Sequence, residues 1–234
     1  MKKNATFFRQ TPWSWQELMK LLLLVLVIVP IFIEYLLKGY LSNILQNELY
    51  SGTFVGLVMA IIFTAGLYVI AMKPNKLSWQ EVGLKRFSPQ YWPSLVGWTF
   101  VLIVISVAMV VVMELLLGVG PENNKLESLQ SRITPINFLI AFVSAAIISP
   151  IYEEIFYRGF LYRFLRGKFG IAISLFISSF IFMIVHIPTF NTLPVNFVGG
   201  LIFAWTYEKS GSIIPAILIH SLFNGIAVIL TSLG

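Results

Sequence analysis

The sequence predicts an all-α, polytopic membrane protein of about seven spans, eight being possible. Three observations lead there. Hydrophobic residues make up 58% of the 234 and charged residues only 11%, against about 45–50% and about 25% in a soluble globular chain. The mean hydropathy is +0.86. The few charges are also clustered, leaving charge-free runs at 21–33, 53–72, 87–113, 133–152, 169–207 and 210–234. A helix needs about 20 apolar residues to cross a bilayer core. A water-soluble enzyme, a disordered tail and a coiled coil are all poor fits.

Each run yields its element in turn. The first, continued past Glu34, gives a span near 18–38. Its basic lead (Lys2, Lys3, Arg9) resembles a signal peptide, but bulky Ile33-Glu34-Tyr35-Leu36 follows where a small-x-small cleavage site would stand. It reads as an uncleaved anchor. The next spans fall near 53–72, 93–117 and 136–165. The run 169–207 is too long for one span, and Pro188, Asn191 and Pro194 divide it into 170–187 and 194–208. The last span lies near 213–231. Residues 1–135 thus form an N-terminal set of transmembrane helices, and 136–231 a second block that carries the polar residues discussed below.

The cations set orientation. With the N-terminus cytoplasmic, the inner segments 1–20, 73–92, 158–169 and 209–212 hold thirteen of the sixteen Lys and Arg; only Lys38, Lys125 and Arg132 fall outside. That bias is the positive-inside pattern. The net charge of +6 therefore marks a face next to anionic lipid, and nucleic acid is excluded as a partner. Trp13, Trp15, Trp79, Tyr91 and Trp92 read as interface anchors. Glu34 and Glu114 sit near outer helix ends and are expected to snorkel. The chain contains no Cys, so it has no thiol nucleophile, disulfide framework or thiolate metal site. It also has no Asp, so all ten acidic side chains are Glu.

The informative residues are polar ones within apolar segments: Glu153, Glu154 and Arg158 in the fourth span, His186 at the end of the fifth, and His220 and Asn224 in the seventh. Each ionised group near a bilayer centre costs roughly 2.5–3.5 kcal/mol. Snorkelling accounts for one such residue more readily than for the whole set. The turn between spans four and five should fall at Gly167-Lys168-Phe169-Gly170. Glu153 and His186 are equally far from it, so in an antiparallel helix pair they share a depth about 25 Å along each helix. His220 lies about 13 Å beyond Gly211 on its own helix and can reach the same level. Glu154 and Arg158, spaced i and i+4, can form an ion pair in the favourable order. Glu153 points about 100° away. Pro150 removes a backbone donor just before the Glu pair and bends the helix.

A carboxylate in an apolar pocket moves towards the range of a general base. A neighbouring His can hold water or share its proton, and a second His with an Asn can donate to an oxyanion. The set suits amide hydrolysis by activated water. No Cys and no G-x-S-x-G elbow is present. Two His and one Glu also make a Zn²⁺ set with an open fourth position, although the helical H-E-x-x-H signature is absent. Spacing alone leaves the metal and metal-free versions level.

The three elements, Glu153-Glu154-(3)-Arg158, Phe182-(3)-His186 and His220-(3)-Asn224, resemble the signature of the CAAX protease and bacteriocin-processing family, also called abortive-infection proteins. Arg158-Gly159-Phe160-Leu161 and Gly211-Ser212-Ile213-Ile214-Pro215 resemble family sequence too. The likeness covers about 136–231, and residues 1–135 match only as generic spans. It implies an intramembrane endopeptidase related to the type II CaaX prenyl endopeptidases, which have eight spans. By the same likeness, Glu153 with His186 would activate water, His220 with Asn224 would hold the oxyanion, and Glu154 and Arg158 would support them. It favours a glutamate-dependent mechanism with no cofactor over Zn²⁺ held by Glu153, His186 and His220.

A peptide or membrane-protein substrate and the lipid bilayer are the expected partners. Two non-proteolytic readings compete: an immunity or chaperone-like factor that binds a peptide, and a transporter using Glu as a proton relay. The segment 187–194 lies deep for irregular backbone, which is tolerated only where it is buried or lines a cavity. It is expected to border a wet access route.

Overall fold

The computed structural model describes residues 7–118 and 134–233, and every regular element among them is helical. Lys125 and Arg132 lie outside the described residues. In chain order the main helices are α1 (Trp15–Leu45), α2 (Glu48–Met72), α3 (Pro89–Leu115), α4 (Pro135–Phe169), α5 (Ile171–Ile184), α6 (Leu193–Ser210) and α7 (Ile214–Leu233). All seven expected segments therefore appear as helices. Five of them, α1 to α4 and α7, are long and apolar enough to cross a membrane. The chain is a multi-pass membrane protein. Shorter α5 has 14 residues, and α6 mixes its apolar residues with Asn196, Glu208 and Lys209.

Helix ends follow local chemistry. Ser14 caps α1 in a capping box with Glu17, satisfying N-terminal donors that otherwise lack partners. Trp13 corrects the interface-anchor reading, because it is only 2% exposed. It stands immediately before the cap, with buried Leu18 at the fourth helical position. Those are the two positions of a hydrophobic staple. Asn47 accepts from Tyr50 N to cap α2, and Thr134 accepts from Asn137 N to cap α4. Helix α5 stops at Ile184 instead of 187, because Pro188 disfavours helical geometry at the residue before it.

The described residues group into two compact units. One comprises 7–12, 78–118 and 154–223; the other comprises 13–77, 134–153 and 224–233. The core of the first is aromatic. Phe156, Phe160, Phe164, Tyr162, Phe182, Phe203 and Tyr207 are all buried, and Gly200 lets α6 approach Ser179 of α5. The segment before α3 clamps the α6–α7 turn in this unit. Ile213 N donates to Gly83 O at 3.0 Å, and Ser212 Oγ donates to Lys85 O. Gly83 has φ +83°, and a Cβ there would stand 2.5 Å from the Tyr207 ring. Only glycine meets both demands.

The second unit packs Leu49, Ala141 and Val228 with Phe138 and Phe142, and Phe63 meets Tyr152 edge-on at 5.2 Å. Helix α4 is not the regular α-helix that the spacing arguments assume. It widens to π-type turns at Val143–Ile148 and again at Glu154–Tyr162. Such i→i+5 stretches within helices occur often at functional sites.

Candidate active site

The second π-type stretch of α4 opens on Glu154. Glu154 is fully buried, and Arg158 is 1% exposed. Arg158 Nη1 donates to Glu154 Oε1 at 2.8 Å, so the expected i, i+4 pair forms despite the wider turns. His220 of α7 donates from Nδ1 to the same oxygen at 2.9 Å. A carboxylate is acceptor-only, so this bond places the His220 proton on Nδ1. Glu154 Oε2 accepts no hydrogen bond among the described residues.

Aromatic rings wall this triad. Phe203 of α6 stacks on His220 at 4.6 Å with an interplanar angle of 16°. The Arg158 guanidinium lies over Phe182 at 4.2 Å and over Phe203 at 5.0 Å. Away from water, charge–ring attraction of this kind reaches about 2 kcal/mol. Phe182 also meets His186 edge-on at 4.8 Å and His220 at 5.9 Å, so one ring touches both imidazoles.

His186 lies just past the end of α5 instead of on it. Its Nδ1 is 2.7 Å from Phe182 O, a carbonyl of the last helical turn. That oxygen can only accept, so Nδ1 carries the proton and Nε2 presents a lone pair. The residues after it fold as a short turn and one 3₁₀ turn, with Thr189 N donating to His186 O at 2.9 Å.

Glu154, Arg158, His186 and His220 thus come together within one compact unit. Glu153 and Asn224 belong to the other. Glu153 is half-buried, and Asn224 Nδ2 donates to Ala145 O at 3.0 Å. Among the described residues no three His or Glu side chains gather closely enough to hold a metal ion. Sequence reasoning missed Phe203. It is one of twenty Phe, and nothing in its local pattern sets it apart.

An all-helical membrane protein with a Glu–Arg–His triad buried between α4 and α7, and a second His beside it, is the class that fold and site define. Comparison with known proteins narrows this. The family of type II CAAX prenyl endopeptidase Rce1-like proteins matches residues 135–226, the stretch that holds every residue of the site. The membrane-embedded CAAX protease MroQ of Staphylococcus aureus (strain USA300) is 31% identical over 219 residues, covering 84% of this chain and 85% of its own. The putative membrane peptidase YdiL of Bacillus subtilis (strain 168) is 29% identical over 113 residues, 48% of this chain and 45% of its own. No solved structure matches. The chain belongs to the CAAX protease and bacteriocin-processing family of membrane proteases.

Proposed function

We propose that this protein is an intramembrane endopeptidase that hydrolyses a peptide bond with a water activated by Glu153 and His186. The supporting observation is the locked hydrogen bonding around Glu154. Its Oε1 serves Arg158 and His220 together, which makes it a holding group, and Glu153 is the other carboxylate of the pair. His186, with Nδ1 engaged by Phe182 O, offers Nε2 to orient the water.

The water oxygen attacks the scissile carbonyl carbon while Glu153 takes its proton. His220 donates to the resulting oxyanion from Nε2. Because Nδ1–H is already given to Glu154, the imidazolium is the donating form, and the Glu154 carboxylate stabilises it. Asn224 offers the Nδ2 hydrogen that Ala145 does not use. Collapse of the intermediate breaks the C–N bond, and the proton held by Glu153 passes to the leaving amine. Every step uses this chain's own groups and water, and no metal is required.

The substrate is a peptide or membrane-protein segment reaching the site from the bilayer, with 187–194 as the access route for water. The N-terminus is cytoplasmic. The CAAX label carried by the relatives makes a prenylated C-terminal tetrapeptide one substrate to assay beside unprenylated segments.

The test compares protein termini in cells carrying wild-type chain or Glu153→Gln at matched membrane levels. New termini that depend on Glu153 are expected. Identical termini, with both proteins folded, would sink the catalytic reading in favour of a non-catalytic peptide-binding or immunity role.

A further inference from the structure

The first π-type stretch of α4 sets up a defect just ahead of the Glu pair. There the ladder runs from each N–H to the carbonyl five residues earlier, as in Ser149 N to Ser144 O. The next donor in that register is residue 150, and its partner would be Ala145 O. Residue 150 is proline, which has no N–H. A carbonyl left without a donor inside a membrane costs several kcal/mol. Yet Ala145 O is satisfied, because Asn224 Nδ2 of α7 donates to it at 3.0 Å.

The residue after Asn224 makes this reach feasible. A Cβ on Gly225 would stand 3.2 Å from the Phe142 ring and 3.5 Å from Ala146 Cβ. The two helices therefore meet nearly backbone to side chain at this point.

We infer that Asn224 has a positioning role beside the oxyanion contact proposed above: one of its amide hydrogens supplies the hydrogen bond that Pro150 withholds from α4, tying α7 to α4 about two turns before Glu153 and Glu154. A single Asn–Gly pair thereby repairs the helix and holds the bend that presents the two carboxylates. The tether is independent of the catalytic reading above; only its effect on turnover rests on that reading.

The absence of Cys allows a direct test. A disulfide needs Cβ atoms about 3.5–4.5 Å apart, and Ala146 with a Cβ on Gly225 meets that at 3.5 Å. Full-length wild type and Asn224→Ala, each with and without Ala146→Cys/Gly225→Cys, are reconstituted and compared oxidised and reduced. Asn224→Ala is expected to lower the thermal midpoint by several degrees, the loss expected for one orphaned buried group. Oxidising the Cys pair in the Asn224→Ala background restores the midpoint, and reduction removes the gain, while turnover stays low for want of the oxyanion donor.

A midpoint that oxidation does not raise in the Asn224→Ala background overturns the inference, because the amide would then not be what holds α7 to α4. Failure of the crosslink to form overturns it too, since the close approach would be absent. Pro150→Ala gives an independent arm by returning an N–H to the ladder. On that background Asn224→Ala should cost little in midpoint, and an equal cost on both backgrounds counts against the tether. If wild type cleaves nothing, the midpoint and crosslinking arms still decide the tether while the catalytic reading fails separately.

Discussion

Of the arginine–carboxylate pairs that helix α4 makes within one compact unit, those of Arg158 and Arg166 are built differently. In the outer pair Arg166 reaches Glu208 of α6 with both Nε and Nη2 at 3.0–3.2 Å, and Tyr162 Oη donates to Glu208 Oε2 at 2.8 Å. Both Glu208 oxygens are satisfied, and Arg166 keeps 14% exposure. In the inner pair Glu154 and Arg158 are sealed from solvent, two donors share Oε1, and Oε2 accepts nothing among the described residues. The outer pair has the two-pronged geometry of a structural clamp. The inner one leaves a carboxylate oxygen unpaired, and its hydrogen-bond set is incomplete. Residual unsatisfied polar atoms of this kind call for a specific explanation.

The contrast is most exposed to failure at Glu154. Glu154→Gln leaves the Arg158 charge buried without its counter-charge and should cost about 3–5 kcal/mol in stability, with turnover lost. Unfolding in detergent and a cleavage assay read both. Tolerance equal to that of Glu208→Gln would erase the distinction between the pairs. Adding Arg158→Met to Glu154→Gln sharpens it, since removing both charges is close to neutral for stability. That double variant should recover its midpoint and remain inactive.

Phe203→Leu comes next. It removes the stack on His220 and one face of the Arg158 cage, together about 1–2 kcal/mol, and should slow turnover while the chain stays folded. Unchanged turnover would reduce Phe203 to packing. Glu208→Gln is the mildest. It weakens a clamp that solvent partly reaches, costing about 1 kcal/mol, and should leave turnover as in wild type.

Much of this could be read before any coordinates. Charge-free runs place all seven helices, because in lipid a single apolar stretch must satisfy its own backbone. The Glu154–Arg158 pair follows from i, i+4 spacing alone. The depth argument from the Gly167–Gly170 turn brings the levels of His186 and Glu154 together, although His186 proves to sit in the turn after α5. The unforeseen parts depend on partners distant in sequence. Glu208 lies 42 residues from Arg166 and 46 from Tyr162, with no pattern to link them. The first π-type stretch of α4 includes a carbonyl, Ala145 O, whose donor comes from another helix, so Pro150 alone signals a bend but not its form. Trp13 was misplaced for a local reason, since a staple residue and an interface tryptophan look the same in a hydropathy trace.

The clamp of Gly83 and Lys85 on Ser212 and Ile213 also bears on how the protein adapts to its lipid. His220 lies seven residues beyond Ile213, about 10 Å along α7, so its height is counted from a polar loop and not from the bilayer midplane. Bilayers differ in thickness, and helices respond by tilting or by shifting at their ends. In α7 the loop end is pinned by hydrogen bonds, whereas at the far end Leu230 and Leu233 are largely exposed. Hydrophobic mismatch is therefore absorbed at the far end, and the imidazole keeps its distance from the loop across membranes of different acyl-chain length.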